Sequence, residues 1–204
     1  MYTIFANIPG NRKPDFSSLR ICFSGGAALP AEVMKRFETK YNVPICEGDG
    51  PTECSPATSI NPIYGERKPG SIGKEIPEVQ MKIVDQDGNE MSTDEIGEIV
   101  VRGENVMKGY FKMPKETAES FFEEWYRTGD MGYVDDEDYF YIIDRNKDMI
   151  IVNGMNVYPR IIEEVIYQHV AVLESCCCAG TGRFTWRGTA GGNCLKAPGK
   201  CIQK

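Results

Sequence analysis

The stretch LRICFSGGAALPAEVMKRFETKYNVPIC, residues 19–46, changes element type twice within 28 residues, and its reading decides the fold. LRICFSGG (Leu19–Gly26) predicts a buried strand ending in two glycines. LPAEVMKRFETKY follows with Pro30 in a first helical turn and Val33, Met34, Phe37 and Tyr41 at helical spacing. Val43 to Cys46 then reads as a second short apolar strand. Strand, glycine turn, helix and strand make a βαβ unit, so the fold class expected is α/β.

EGDGPTEC (Glu47–Cys54) comes directly after that second strand. Gly48 and Gly50 can take positive φ, and Pro51 removes a donor and fixes its own φ, so the run is expected to be a turn with no regular element. A loop leaving a strand end, with bare backbone N–H groups, a hydroxyl and an acid, suits a phosphate and its divalent cation. Thr52 can donate to a phosphate oxygen, and Glu53 can supply the hard oxygen that Mg²⁺ prefers. The alternative is an ordinary surface turn in which Thr52 caps a helix.

Upstream, Met1 to Ile8 reads as the end of a helix. Downstream the texture changes at Gly70 to short strands with turn signals between them. VQMKIVDQDGNEM carries a hairpin signal at Asp87 and Gly88, GEIVVRG alternates, and MPKETAESFF predicts a short helix with Pro114 near its start. YRTGDMGYVDDEDYFYIIDR reads as a strand hairpin with an acidic turn at Asp135 to Asp138. MIIVNGMNVYPRIIEEVIYQH gives strand, turn, strand and then a helix from Pro159 with Ile162, Val165 and Ile166 on one face. The organisation expected is a βαβ fragment over 1–68, a β-rich subdomain over 69–145, the start of a small α+β domain over 146–174, and an atypical tail over 175–204.

The 204 residues carry a net charge of −7 with the acids spread along the chain, which argues against nucleic acid as the main partner. No apolar stretch is long enough to span a bilayer and no signal-peptide pattern opens the chain, so a cytoplasmic location is expected. Eight cysteines do not make one disulfide framework: Cys22, Cys46 and Cys54 stand singly, and the other five fall in the last thirty residues.

Three further stretches could carry chemistry. In YRTGD, the Asp130 carboxylate could take both hydroxyls of a ribose, or could simply serve a turn. In DRNKDMI, Arg145 could reach phosphate or ribose oxygens, or stand with Lys147 and Asp148 as solvated ion pairs. SGGAALP leaves bare backbone at Gly25 and Gly26 that a flat ring could approach, or is only a tight strand-to-helix turn.

Taken in order, SGGAALP, GDGPTE, GEIVVRG with KGYFKMPKET, YRTGD and DRNKDMIIVNGMNVYPRIIEEVI resemble the adenylate-forming superfamily of acyl-CoA synthetases, peptide-synthetase adenylation domains and luciferases. The resemblance covers roughly residues 20 to 174, and KDMIIVNGMNVYP is most similar to the fatty-acyl-CoA synthetase branch. It implies the C-terminal part of the superfamily's large N-terminal domain followed by the start of its small C-terminal domain. It also implies a two-step ligase that activates a carboxylic acid with MgATP as an acyl-adenylate, then transfers the acyl group to coenzyme A. On the matching positions, Thr52 would contact phosphate, Glu53 would hold Mg²⁺, Asp130 would bind the ribose hydroxyls of ATP or AMP, and Arg145 would reach the nucleotide. Gly26 and Ala27 would line the adenine and acyl sites beside Gly25, with Gly48 and Gly50 in the phosphate loop. Lys147 would be the hinge about which the small domain turns. The other readings in view are a non-catalytic nucleotide-binding module and an adenylation domain loading a carrier-protein thiol.

The sequence departs from that family at three places. Where the family has an aromatic residue that stacks on adenine, this chain has Asp49, which cannot stack, would repel nearby phosphates, and could instead accept from the adenine amino group. The family's glycine-rich phosphate loop, and with it most of the acyl pocket, would lie upstream of Met1, so the chain is expected to be truncated, to expose apolar sheet and to be prone to self-association. The tail, SCCCAGTGRFTWRGTAGGNCLKAPGKCIQK, fits nothing the family has there. Shifted by one base, its codons permit the family's own text: alanines and valines at Ser175 to Cys178, Val-Pro-Asp at Gly180 to Gly182, Gly-Glu at Trp186 and Arg187. A frameshifted read of the C-terminal domain is therefore expected, and the DNA around codon 175 tests it. The family's catalytic lysine is then absent; Lys196 and Lys200 are too close to the hinge to be it, and no catalytic residue is assigned.

Overall fold

A computed structural model describes residues 1–152, 155–169, 172–177 and 185–188. Helix α1 (Tyr2–Asn7) precedes strand β1 (Cys22–Ser24), helix α2 (Ala31–Tyr41) and strand β2 (Ile45–Asp49). β1 and β2 run parallel, with Cys22 opposite Ile45 and Ser24 opposite Glu47, which makes the anticipated βαβ unit. Val33, Met34, Phe37 and Tyr41 are the buried residues of α2, as their spacing requires, and they pack with Leu29, Val43 and Ile45. Asn42 ends α2 in the left-handed region at φ 55°. At the C-terminal end of α1 the capping Ile8 N donates to Phe5 O at 3.3 Å, and α2 supplies further donors. Lys40 Nζ donates to Phe5 O and Ala6 O at 3.0 Å each, and the Tyr41 hydroxyl donates to Phe5 O at 2.9 Å, so one helix caps the other.

Two local expectations are corrected here. Strand β1 is not buried: it is three residues long, lies at the edge of its sheet, and leaves Phe23 51% exposed. With β2 on one side only, no strand among the described residues pairs with its other edge, where the Tyr2 hydroxyl donates to Phe23 O. The run from Glu47 to Asp49 is not turn but strand, because β2 continues through it and pairs antiparallel with β3 (Ser59–Ile60), Gly48 opposite Ile60 and Asp49 opposite Ser59. Neither Gly48 nor Gly50 has positive φ. They are needed for close approach instead: a Cβ on Gly48 would lie 2.8 Å from Ser59 O, and one on Gly50 2.0 Å from Pro56 O.

Strand β4 (Lys74–Glu75) completes this first sheet in the order β1-β2-β3-β4. The second sheet is built from β5 (Val79–Val84), β6 (Gly97–Gly103), a short helix α3 (Pro114–Glu119), β7 (Phe121–Phe122), β8 (Trp125–Val134) and β9 (Phe140–Arg145). β5 shows the two-residue period, with Val79, Met81 and Ile83 buried in a core with Ile99, Val101, Tyr126 and Phe140. The Asp-Gly signal does mark a turn, Asp85 N donating to Asn89 O at 2.9 Å, but the full-length partner of β5 is β6. β8 pairs with β6 along one side and with β7 and then β9 along the other. The two sheets are tied by Ile72 N to Phe140 O and Phe140 N to Gly73 O, both 2.9 Å.

Beyond β9 come β10 (Ile150–Val152), β11 (Met155–Val157), helix α4 (Pro159–Tyr167), β12 (Val172–Cys176) and β13 (Thr185–Gly188). Helix α4 starts at Pro159 as expected. Val165 does not share the covered face with Ile162 and Ile166, since it is 63% exposed. Arg160 Nη1 donates to Ile142 O at 2.7 Å and Arg160 N to Asp144 Oδ2 at 3.3 Å, seating α4 against β9. The expected frameshift falls mostly outside the described residues, as do Lys196 and Lys200. No helix among the described residues is long and apolar enough to cross a membrane.

Candidate functional site

The end of β2 and the loop after it face Arg127–Asp130 of β8 and Arg145–Asp148 after β9 across a cleft of about 1230 Å³. Register sets its central pair, for Asp130 lies directly opposite Arg145 on the neighbouring strand. Their side chains form an ion pair, Arg145 Nε to Asp130 Oδ1 3.5 Å. The irregular stretch of β8 that carries Asp130 is held by three hydrogen bonds. Asp130 N donates to Thr128 Oγ1 (3.0 Å), which in turn donates to Ile99 O (2.8 Å), and Gly129 N donates to Glu98 Oε1 (3.2 Å). The other oxygen of Glu98 takes Arg127 Nε at 3.1 Å and Nη2 at 2.7 Å, and the Arg127 guanidinium lies 4.2 Å from the Phe122 ring centroid.

Burial pushes the Asp130 carboxyl up to about 6; the Asp49 carboxylate pushes the same way, and the Arg145 guanidinium opposes them. Asp49 itself is raised by burial, opposed by the Gly50 N–H and the Thr58 hydroxyl. Two acids thus line the same cleft, and burial raises the carboxyl of each above the ordinary range.

The loop after β2 is anchored by distant residues. Pro51 leads into a single 3-10 turn, Thr52–Cys54, with no side-chain cap, so Thr52 is not the helix cap of the alternative reading. Its side chain is exposed at the cleft. Met107 N donates to Glu53 O at 2.7 Å, Asn105 Nδ2 to Cys54 O at 2.6 Å and to Ala57 O at 3.0 Å, and the Tyr110 hydroxyl to Glu53 Oε1 at 2.8 Å. Cys54 is fully buried and its thiol is pushed up to about 12, chiefly by that burial. As donors for a divalent cation, these residues offer one carboxylate, Glu53. No group of three or more His, Cys, Asp or Glu side chains among the described residues could hold a metal ion by itself. A lone carboxylate is a donor that Mg²⁺ can use, since it takes one or two carboxylates and completes its shell from water and substrate phosphate.

Of the residues singled out from sequence, Gly26, Ala27, Gly48, Asp49, Gly50, Thr52, Glu53, Asp130, Arg145 and Lys147 all line this cleft. Gly25 does not. A Cβ there would lie 3.0 Å from Gly48 O, so its bareness lets the end of β1 lie close to β2. Sequence reasoning missed three contributors. Glu98 was an acid inside the apolar run GEIVVRG, an available signal. Tyr110 sits in KGYFKMPKET, whose order was noted without a role. Glu47 opens the loop that was read as a turn; it is 7% exposed, accepts from Gly70 N at 2.9 Å through Oε2, and its carboxyl is pushed up to about 7 by burial.

The fold is that of the adenylate-forming enzymes. The chain belongs to the AMP-binding enzyme family, whose model matches residues 1–111. It is 48% identical over 161 residues to the long-chain-fatty-acid–CoA ligase of Bacillus subtilis (strain 168), covering 78% of this chain and 29% of that protein. The corresponding ligase of Escherichia coli O157:H7 is 43% identical over 160 residues, covering 78% and 28%. In three dimensions it is similar to ATP-bound MatB from Rhodopseudomonas palustris, with TM-score 0.83, 34% identity, and 92% of this chain and 38% of that one covered. It is also similar to the anthranilate CoA ligase AuaEII in complex with anthranoyl-AMP, with TM-score 0.82, 30% identity, and 91% and 36% covered. The chain spans under a third of the length of these two curated relatives.

Proposed function

We propose that this chain forms the nucleotide-holding part of an AMP-forming acid–thiol ligase acting on a carboxylic acid of the fatty-acid class, with coenzyme A as the thiol. The observation that carries the reading is the placement of Asp130 and Arg145, opposed on adjacent strands, across one cleft from the Gly50–Glu53 loop. In the first step a substrate carboxylate oxygen attacks the α-phosphorus of ATP and the bond to pyrophosphate breaks. In the second a thiolate attacks the acyl carbon and AMP leaves with its electron pair.

Within that chemistry each group has a task its surroundings support. Asp130 accepts from the ribose hydroxyls, held in place by the Thr128 and Glu98 contacts behind it. Arg145 neutralises charge next to it, and Thr52 donates to a phosphate oxygen. Gly48 and Gly50 keep the backbone low beneath the phosphates, while Gly26 and Ala27 give a flat wall for the base, with Gly25 setting the spacing behind them. Asp49 accepts from the adenine amino group in place of a stacking ring. Glu53 would hold Mg²⁺, which supplies charge neutralisation at the phosphates. Lys147 is the exposed joint between β9 and the part that begins with β10, and takes up the φ/ψ change when the small domain turns. The domain boundaries that go with this reading are 68/69, 145/146 and 174/175, and the location is the cytoplasm. The open edge of β1, with Phe23 beside it, favours self-association of the isolated chain.

Calorimetric titration of the folded chain with AMP and with MgATP, Asp130→Ala serving as control, tests the reading. Binding that Asp130→Ala abolishes is expected. A chain that is folded by circular dichroism yet binds neither nucleotide would overturn it.

A further inference from the structure

The motif KGYFKMPKET is built as one unit that delivers a phenol to the opening loop. Tyr110 N donates to Thr117 Oγ1 at 2.9 Å, and Thr117 Oγ1 donates to Met113 O at 2.7 Å, so the first turns of α3 fix the Tyr110 backbone. Gly109, at φ +144°, packs so closely on Thr117 that a Cβ there would lie 2.6 Å from Thr117 Cγ2. From this base the Tyr110 hydroxyl reaches Glu53 Oε1 at 2.8 Å. Behind it lies Tyr126, only 5% exposed, with its ring edge-on to Phe121 at 5.7 Å. The Glu53 backbone is pinned separately by Met107 N. Main chain and one carboxylate oxygen are therefore both fixed, and Tyr110, Tyr126 and Glu53 all line the cleft.

We propose that Tyr110 is a positioning residue for the divalent cation: by donating to one oxygen of Glu53 it presets the other toward the nucleotide phosphates. The inference rests on the nucleotide-binding reading above. A glutamate free to rotate loses side-chain entropy when it takes up a metal, whereas one already ordered by a partner does not. Partners that orient a metal ligand typically matter about 10- to 100-fold in metal affinity.

The readout is the ratio of two dissociation constants for ATP on the full chain, without metal in EDTA and with saturating Mg²⁺, set beside the constant for AMP in EDTA. In the wild-type chain Mg²⁺ tightens ATP binding. Tyr110→Phe keeps the ring and removes the donor, and is expected to cut that tightening about tenfold, well beyond any change in the AMP constant. Glu53→Gln should abolish the tightening, and Tyr110→Phe should then add nothing in the Glu53→Gln background. A tightening left intact by Tyr110→Phe, or an equal loss on AMP and MgATP, would overturn the positioning role while leaving the nucleotide reading standing. A wild-type chain that fails to bind AMP at all would sink both.

Discussion

Glu47 should make this chain lose stability as pH rises, and replacing it with glutamine should restore what is lost. The carboxyl is 7% exposed, and burial, with smaller pushes from Glu164 and Glu38, raises it from an ordinary 4.5 to about 7 against the pull of the Gly70 N–H and the Arg160 guanidinium. A carboxyl raised in the folded state is neutral in both states below pH 4.5. Between 4.5 and 7 the unfolded chain ionises first, so stability falls, and above 7 the full penalty stands. The rise corresponds to about 3 kcal/mol at pH 8 and to under about 1 kcal/mol at pH 5. Glu47→Gln keeps an oxygen for Gly70 N and removes the ionisation. Urea unfolding followed by tryptophan fluorescence at both pH values should show the variant more stable by those amounts, the gain growing with pH. Equal gains at pH 5 and pH 8, or a loss at pH 8, would refute the reasoning.

In the role proposed for it, Asp130, held at about 6, has to be ionised to accept two hydroxyls, so adenosine, which carries no phosphate to titrate, should bind about tenfold more tightly at pH 7 than at pH 5, and Asp130→Asn should flatten that profile in equilibrium dialysis. Glu98→Gln leaves the Arg127 guanidinium with its ring contact but without its carboxylate; with Arg127 one-third exposed, about 2 kcal/mol of stability should go, read as a lower urea midpoint, and an unchanged midpoint would contradict the geometry. Gly50→Ala places a Cβ 2.0 Å from Pro56 O, a backbone atom that has to move, so a loss of about 3 kcal/mol is expected in the same assay.

Much of the scaffold could be read from local pattern because its elements are locally determined. The 3.6-residue spacing of Val33, Phe37 and Tyr41 and the two-residue spacing of Val79, Met81 and Ile83 need no knowledge of their partners. The failures are where a distant strand overrules a local signal. Gly48 and Asp49 look like turn residues, yet Ile60 and Ser59 pair with them and hold them extended. Glu98 looks like an outward-facing acid on an alternating strand, and only Arg127 and Gly129, about thirty residues on, explain why it is buried. The order of motifs did pick out residues that lie together, since ten of the eleven singled out line one cleft. What order could not supply was the layer behind them, where Tyr110 and Glu98 hold the loop and the turn in place.

The stitching of the opening loop also dictates when the cleft can appear during folding. Asn105 holds Cys54 across 51 positions of sequence, Tyr110 holds Glu53 across 57, Lys68 meets Asp135 across 67, and Tyr139 reaches Glu66 across 73. None of these contacts exists for a nascent chain that ends at the loop, and each closes a long segment at an entropic cost that only the finished second sheet offsets. The βαβ unit, whose contacts are short in sequence, can form as soon as it is made. The Glu47–Cys54 loop lacks its Asn105 and Tyr110 anchors until the segment beyond β6 has been added, and the cleft it borders takes shape only once β8 and β9 are in place.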